Sequence, residues 1–568
     1  MSKKRTDFWE RVFAEKLSLI CALVLVVCGI KFTWDLSHAI ELALWDETAY
    51  MIRGLGIKNR EGLIAELGPL YSLWYRLLNV FLHDNYALYF QNARIFALSL
   101  PVLVFLTMRS LGIRAILAFV ISWFYLISFS NIYVWPRVNH FAVCIMLIGW
   151  LIGHSLWKRT QSWSLHLGVL SIAFLTASYA RPEQFVGFGV LAFASIFIGI
   201  WEARPSASRS SGGMGKKVSL AVIGPALFAI VAAIFAVSRF GNPVASGGRG
   251  LGAFCQHFAL NASKLGIFKG DPWMDCGAAI RESFGPIESM MGALISSPLH
   301  LAMHFGVNLA RYIVKTFFMF FTHFNLLIPP TSFRASAAEG MIFLVVFAFS
   351  FWKWGRLSKE RLLEFLLSQR IVFMTFFLML IPTLISVIVI YPRDHYLLLQ
   401  EVLMFLGLGI YVEAWMKSKQ ATVNSKKVSL IFCCVLLLTP SLTPPWYWAR
   451  KSTVGQNSLL LALHQAPFKK GETLYVAQLD YGYQVFLSNL AEDEALPDFT
   501  KEPPEAYFAR SKTNVMVLNS SILTQLSQRG LSSWRHFTVE PEGFGFQKIP
   551  TEDANFLLFS KSSVLDSH

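Results

Sequence analysis

Apolar runs of about 17–20 residues, separated by short basic or glycine-rich breaks, recur from residue 17 to residue 444. An α-helix needs about 18–20 such residues to cross the hydrocarbon of a bilayer. The pattern predicts about eleven spans, near 17–34, 91–108, 114–133, 138–157, 164–180, 185–201, 218–238, 338–354, 370–390, 397–415 and 428–444. The first run, "LSLICALVLVVCGIKF", follows the basic lead-in "MSKKRTDFWERVFAEK" without a small-residue cleavage site, so it reads as a span and not a cleaved signal.

Between the spans the periodicity changes. In "GPLYSLWYRLLNVFL" the apolar positions Leu70, Leu73, Trp74, Leu77, Leu78 and Phe81 recur at helical spacing, which predicts an interfacial helix inside a long first loop, 35–90. A second long loop, 239–297, opens with the glycine-rich "GNPVASGGRGLGAF" and reads as mobile. Residues 298–328 are apolar enough to span, but His300, His304, Arg311 and Lys315 interrupt them. They read as a helix lying on the outer surface. A twelfth span, with the C-terminal half inverted, is the alternative. After about residue 445 short apolar runs alternate with turn residues: "TLYVAQL", "YQVFLSN", "NVMVLNSSILTQLSQRGL" and "FLLFSK". Residues 446–568 therefore read as a small water-soluble α/β domain, and 1–445 as the transmembrane module.

Charge sets the orientation. The formal net charge is +15, yet only 15% of the 568 residues are charged and 54% are hydrophobic. That balance excludes an ordinary soluble protein. The cations fall in the short segments "MSKKR", "MRSLGIR", "WKRT", "EARPSASRSSGGMGKK", "KWGRLSKERLLEFLLSQR" and "KSKQATVNSKK". The positive-inside rule puts these on the cytoplasmic side, with the N-terminus, and the C-terminal domain outside the cytoplasm. Basic charge here marks topology and not a nucleic-acid partner. The seven cysteines show no metal spacing. Cys255 and Cys276 share the second outer loop, where an oxidising exterior permits a disulfide; two free thiols are the alternative. His257, in the same loop, reads as a surface polar residue.

On this topology the polar clusters gather on one face. They are "WDET" at 45–48, "WPRVNH" at 135–140, "RPEQ" at 181–184, "GDPWMDCG" at 270–277 and "YPRDHY" at 391–396. Carboxylates beside a bilayer are costly unless hydrated, paired or used. A carboxylate can take the proton of an attacking hydroxyl, and arginines can hold a departing phosphate. Together they point to transfer of a group from a lipid phosphate to a hydroxyl. The bland reading of Asp46 and Glu47 is that two anions open a helix, where the N-terminal dipole favours them.

The order of a span, a long first outer loop with Asp-Glu near its start, then "GPLY" and an interfacial helix resembles the GT-C membrane glycosyltransferases. The nearest branch is that of the protein O-mannosyltransferases and aminoarabinose transferases. "DETAY" matches that branch's Asp-Glu-x-x-Tyr pattern through Asp46, Glu47 and Tyr50. "ARPEQF" resembles its outer arginine-bearing turn. "YPRDHYLLL" resembles its Arg-Tyr-Leu-Leu segment, with Asp394 and His395 inserted between Arg393 and Tyr396. The likeness covers roughly residues 15–415.

The resemblance implies a polyprenyl-phosphate sugar as donor, a lipid, glycan or protein acceptor, and inversion at the sugar carbon. It makes Asp46 the catalytic base and Glu47 its assistant. Tyr50, Arg137, Arg181, Glu183, Asp271, Arg393, His395 and Tyr396 are the substrate-binding candidates. No metal or other cofactor is required, although adjacent carboxylates suit Mg²⁺ or Mn²⁺. The expected location is a bacterial inner or plasma membrane, in contact with its lipids. The rivals are a transporter or lipid flippase, which needs ionisable groups along a transverse path, and a non-catalytic assembly subunit of the same fold.

Overall fold

In the computed structural model, residues 2–418 and 454–565 are described apart from internal stretches, the longest being 57–66, 203–214 and 322–363. The helices in chain order are α1 Ser2–Thr33, α2 Leu36–Ala39, α3 Asp46–Leu55, α4 Pro69–Asn79, α5 Asn85–Ser110, α6 Ala115–Leu126, α7 Phe129–Ile132, α8 Val138–Thr160, α9 Trp163–Ser178 and α10 Gln184–Glu202. They continue as α11 Gly215–Phe240, α12 Gly248–Lys264, α13 Cys276–Phe284, α14 Met290–Ser296, α15 Pro298–Phe321, α16 Arg370–Val389, α17 Leu398–Ser418, α18 Val454–Gln465, α19 Pro504–Arg510 and α20 Ser532–Val539. The chain divides into two compact units. One holds 1–30, 63–70 and 95–442; the other holds 31–62, 71–94 and 443–568. The first loop thus groups with the C-terminal residues, a different division from the cut at 445 expected from the sequence.

Among the described residues six helical segments are long and apolar enough to cross a membrane: 15–33, 85–110, 138–160, 184–202, 370–389 and 394–414. The expected spans near 114–133, 164–180 and 218–238 appear as shorter apolar helices, and those at 338–354 and 428–444 lie outside the described residues. The third expected span stops at Leu126 for a local reason. Asn131 Nδ2 donates to the carbonyls of Leu126 and Ala97, both at 2.9 Å, and Ser128 Oγ lies 3.0 Å from Ser130 Oγ. Polar side chains that bond nearby backbone compete with continued helix.

In the first unit α8, α9, α10 and α11 pack side by side. Small residues permit this: a Cβ on Gly149 would lie 2.3 Å from that of Ala173. Close backbone approach is how helices associate in lipid, where apolar burial gives no preference for a neighbouring helix. The second loop is not irregular. α12, α13 and α14 enclose Phe254, Phe258, Phe268 and Phe284, and Cys255 is disulfide-bonded to Cys276. α14 and the first part of α15 form a bent pair with an angle of 117°, long enough to be one broken span.

The sidedness of α15 is unusual. Its polar residues face protein: His304 and Asn308 are buried, and Asn308 donates to the Ile388 carbonyl at 2.8 Å. Several of its apolar residues face out, with Leu299 78% and Ile313 61% exposed, although Leu301 is buried. Three of the four polar residues that interrupt the apolar sequence are drawn toward protein. His304, Arg311 and Lys315 bind other parts of the same unit.

In the second unit the C-terminal residues form a five-stranded sheet in the order β2-β1-β3-β5-β4. The strands are β1 Leu474–Ala477, β2 Ala491–Glu494, β3 Val515–Asn519, β4 Phe546–Ile549 and β5 Phe556–Lys561. β1 runs parallel to β2 and β3, while β5 is antiparallel to β3 and β4. Tyr507, Trp534, Phe537, Phe546 and Phe559 fill one core. The run "YQVF" is a 3₁₀ turn and not a strand.

Candidate active site

α3 begins at Asp46, and the two adjacent carboxylates part at once. Asp46 is exposed at the first turn. Glu47 is fully buried. Its Oε1 accepts from the hydroxyls of Tyr71 and Tyr75, both at 2.5 Å, and from Asn92 Nδ2 at 3.2 Å. Asn92 is held in turn by Trp74 Nε1, which donates to its Oδ1 at 2.8 Å. A buried carboxylate needs such donors, because desolvation otherwise disfavours it by several kcal/mol. Burial, and next the charge of Glu47, push both phenols well above 10.0, so they remain donors. Tyr50 meets Tyr71 edge to face with centroids 5.2 Å apart, and the Arg53 guanidinium lies 6.0 Å from the Tyr50 ring.

Tyr71, Tyr75 and Asn92, which hold Glu47, were not among the residues expected from the sequence. The i, i+4 tyrosines of "GPLYSLWYRLL" were the available signal. Leu73 and Leu77 of the same helix are exposed.

In the first unit "RPEQ", "WPRVNH" and "YPRDHY" meet. Arg181 Nε donates to Glu183 Oε1 at 2.8 Å, and its guanidinium lies 5.0 Å from the Tyr396 ring centroid. Asn139, Glu183, His395 and Tyr396 line one polar cavity. Lys315 Nζ bonds Asp394 Oδ1 at 2.6 Å.

Two candidates turn out otherwise engaged. Arg137 is fully buried, with its guanidinium donating to the carbonyls of Asn131 (2.5 Å) and Ile132 and lying 4.5 Å from the Trp135 ring. Those bonds tie α7 to the start of α8, which is a structural task. Asp271 is exposed; its Oδ1 accepts from the Trp273 amide at 2.7 Å, and its own amide donates to Asp275 at 3.1 Å.

Arg393 is the base of a further cluster that the sequence reading did not anticipate. Its Nε donates to His257 Nε2 at 3.0 Å, while His257 Nδ1 donates to the Ala253 carbonyl at 2.6 Å. His257 is therefore a neutral, buried imidazole, contrary to its reading as a surface residue. It stacks on Tyr391 at 5.0 Å and meets Trp273 edge-on at 5.8 Å. Arg393 also lies 5.6 Å from the Trp273 ring centroid. Burial first, then the Arg393 charge, lower the His257 pKa to about 4.

Among the described residues no three His, Cys, Asp or Glu side chains are grouped to hold a metal ion. Glu47 is buried with one oxygen taken by three donors, so Asp46 and Glu47 do not offer two open carboxylates to one cation.

No family model matches the chain, and no curated protein matches it. Two similar solved structures are of the Archaeoglobus fulgidus oligosaccharyltransferase. One is tethered through a disulfide to an acceptor peptide containing the NVT sequon; it is 10% identical, with 95% of this chain and 74% of that chain covered and a TM-score of 0.37. The other, in complex with Zn and sulfate, is 11% identical over 94% and 73%, with a TM-score of 0.29. Superpositions this loose carry no argument about activity or metal use, and the functional reading rests on the residues.

Proposed function

We propose that the chain is a GT-C-type glycosyltransferase. It moves a sugar from a polyprenyl-phosphate donor to an acceptor hydroxyl at the outer face of a bacterial inner membrane. The observation that carries the reading is the division of labour between neighbouring carboxylates. Asp46 is exposed and able to meet a substrate, while Glu47 is fastened by Tyr71, Tyr75 and Asn92.

In the proposed reaction Asp46 takes the acceptor hydroxyl proton. The freed oxygen attacks the anomeric carbon, and the bond from that carbon to the phosphate oxygen breaks. The phosphate leaves with the electron pair, and the sugar carbon is inverted. Separately, in the first unit, Arg393 is held by His257 and Trp273 and can bind a phosphate. Glu47 orients the first turn of α3 and does not touch substrate. None of these steps requires a metal.

Turnover of purified protein with a panel of polyprenyl-phosphate sugars tests this. The expected result is that Asp46→Asn lowers transfer by at least about 10²-fold, in the range of lost general-base catalysis, with the thermal midpoint unchanged. Equal turnover in the two proteins removes Asp46 from the reaction.

One observation favours a transport reading: Glu401 and Glu413 are both buried in the segment 394–414. Glu413, however, pairs with Arg114 at 3.2 Å and accepts from the Arg114 amide, a structural tie between α6 and α17. Uptake of a labelled lipid phosphate by vesicles holding the Asp46→Asn protein separates the two readings.

A further inference from the structure

The last turns of α5 and α8 bring cations together at one end of the first unit. Lys158 Nζ donates to the Ser110 carbonyl at 2.6 Å, and His154 Nε2 lies 3.0 Å from the same oxygen. Ser110 is the final residue of α5, and the charge of its neighbour Arg109 acts on Lys158. Arg109 acts also on Cys21 of α1, so the patch is bounded by α1, α5 and α8. Lys158 and Arg159 are exposed, and Arg109 is half-buried. Beside them Trp157 meets Trp163 with ring centroids 4.5 Å apart. Tryptophans are enriched where a bilayer meets water.

Negative charge is what this corner lacks. Among the described residues Arg109, Lys158 and Arg159 pair with no carboxylate. Carboxylates at this end are committed elsewhere. Glu413 pairs with Arg114 at 3.2 Å, and Glu202 accepts from Ser162 Oγ at 3.0 Å and from the Trp163 amide at 2.8 Å. A helix C-terminus favours cations, which accounts for Lys158 on the Ser110 carbonyl. It leaves Arg109 incompletely met. The Arg109 Nη1 donates to the Ile113 carbonyl, but the buried Nε has no hydrogen-bond partner in the chain. Native folds keep few such donors. Nε and Nη2 share the edge through which a guanidinium holds a phosphate bidentately, and an oxygen entering beside Nη2 would supply the missing acceptor.

The surrounding surface selects among anions. Leu106, one turn before Arg109, is exposed. Ile148 and Ile152 are exposed on the face of α8 that ends in Arg159. A free phosphate or a nucleotide would answer the cations and leave these aliphatic side chains in water. A phospholipid answers both, and basic pockets between helices at the membrane surface bind anionic head groups. We propose that the corner between α1, α5 and α8 holds the phosphate of an anionic phospholipid, gripped by Arg109 and Lys158, with the acyl chains along Leu106 and Ile152. The site lies wholly within the first unit, stands apart from the glycosyltransferase reading, and involves no covalent step.

Native mass spectrometry of the full chain, released from nanodiscs of phosphatidylglycerol and phosphatidylcholine in equal parts, reads which lipid stays bound. The native protein is expected to retain phosphatidylglycerol over phosphatidylcholine by at least about tenfold, and Arg109→Gln and Lys158→Gln each to lower that preference about fivefold, the weight of one cation at a charged surface. Lys31→Gln removes the same charge from the other end of α1 and should leave the preference unchanged. If Arg109→Gln does not fold, Lys158→Gln and Arg159→Gln carry the comparison. Equal retention of the two lipids by the native protein, or an equal preference in native and variant proteins, overturns the site. An equal loss in Lys31→Gln overturns it too, since net charge would then suffice. Excess inorganic phosphate separates the two sources of the anion. Retention of phosphatidylglycerol in its presence supports the lipid, whereas displacement assigns the corner to free phosphate and overturns the lipid site.

Discussion

Gly482 lies against Thr48: a Cβ on the glycine would come 2.2 Å from the threonine Oγ1 and 2.8 Å from its Cβ. The glycine also has φ +125°, where L side chains are strained. Thr48 is the third residue of α3, so a turn from the C-terminal part of the chain presses on the helix that presents Asp46. Beside it Asn85 Nδ2 donates to the Val485 carbonyl at 2.6 Å. Gly482→Ala is expected to destabilise the second unit by about 1–3 kcal/mol and to reduce turnover. Adding Thr48→Ala should recover part of the loss. Thermal unfolding and turnover on the three proteins check this; an unchanged midpoint in Gly482→Ala refutes the contact.

The tyrosine clamp gives an alkaline signature. Tyr71 and Tyr75 have pKa values raised well above 10.0. The unfolded chain loses these protons near pH 10 while the folded chain keeps them, so stability falls as pH rises from the unfolded toward the folded pKa. Each phenol contributes a slope of up to about 1.4 kcal/mol per pH unit. Tyr71→Phe and Tyr75→Phe should flatten that limb while costing about 1–2 kcal/mol at neutral pH. Denaturant unfolding from pH 8 to pH 11 gives the measurement.

His257 predicts the opposite limb. Its pKa is lowered from 6.5 to about 4. Below pH 6.5 the unfolded chain takes up a proton that the folded chain refuses, so stability is lost as pH falls from there through the folded pKa. The full effect is of order 3 kcal/mol. Gln in place of His257 keeps an acceptor for Arg393 but cannot titrate. It should remove most of this acid sensitivity and preserve the donor KM at pH 7, whereas His257→Phe should raise that KM. If acid unfolding of His257→Gln follows the native curve, the imidazole is not the titrating group.

Opening the Cys255–Cys276 bond releases a loop with a sequence separation of 21. Chain entropy assigns a loop of that length about 3 kcal/mol. The variant Cys255→Ser with Cys276→Ser should therefore show a lower thermal midpoint, and phosphate binding at Arg393 should weaken, because Trp273, 5.6 Å from its guanidinium, lies within the closed loop. Mass spectrometry of alkylated protein, before and after a reductant, establishes the bond independently.

What could be read in advance follows from what lipid does to sequence. Long apolar runs such as 138–160 and 370–389 need no neighbour to be recognised as helices. Direction of facing is another matter. In water an apolar stripe points inward, but next to lipid it can point outward at no cost. On α4 Leu73 and Leu77 are exposed, as an interfacial helix allows, while Tyr71 and Tyr75 are buried. Arg137 shows a related limit. A buried guanidinium can be satisfied by carbonyls a few residues away, and nothing in "WPRVNH" distinguishes that from a phosphate ligand. Asp46 stands out in the sequence because its motif is local.

The inverted sidedness of α15 bears on how the protein can be handled. With Leu299 and Ile313 outermost and His304 and Asn308 turned inward, this helix has oil as its proper solvent. Excised with its disulfide-bonded neighbours and placed in buffer, it would offer a greasy ridge to any similar copy and precipitate. Detergent or a lipid belt is thus a working part of this segment's environment.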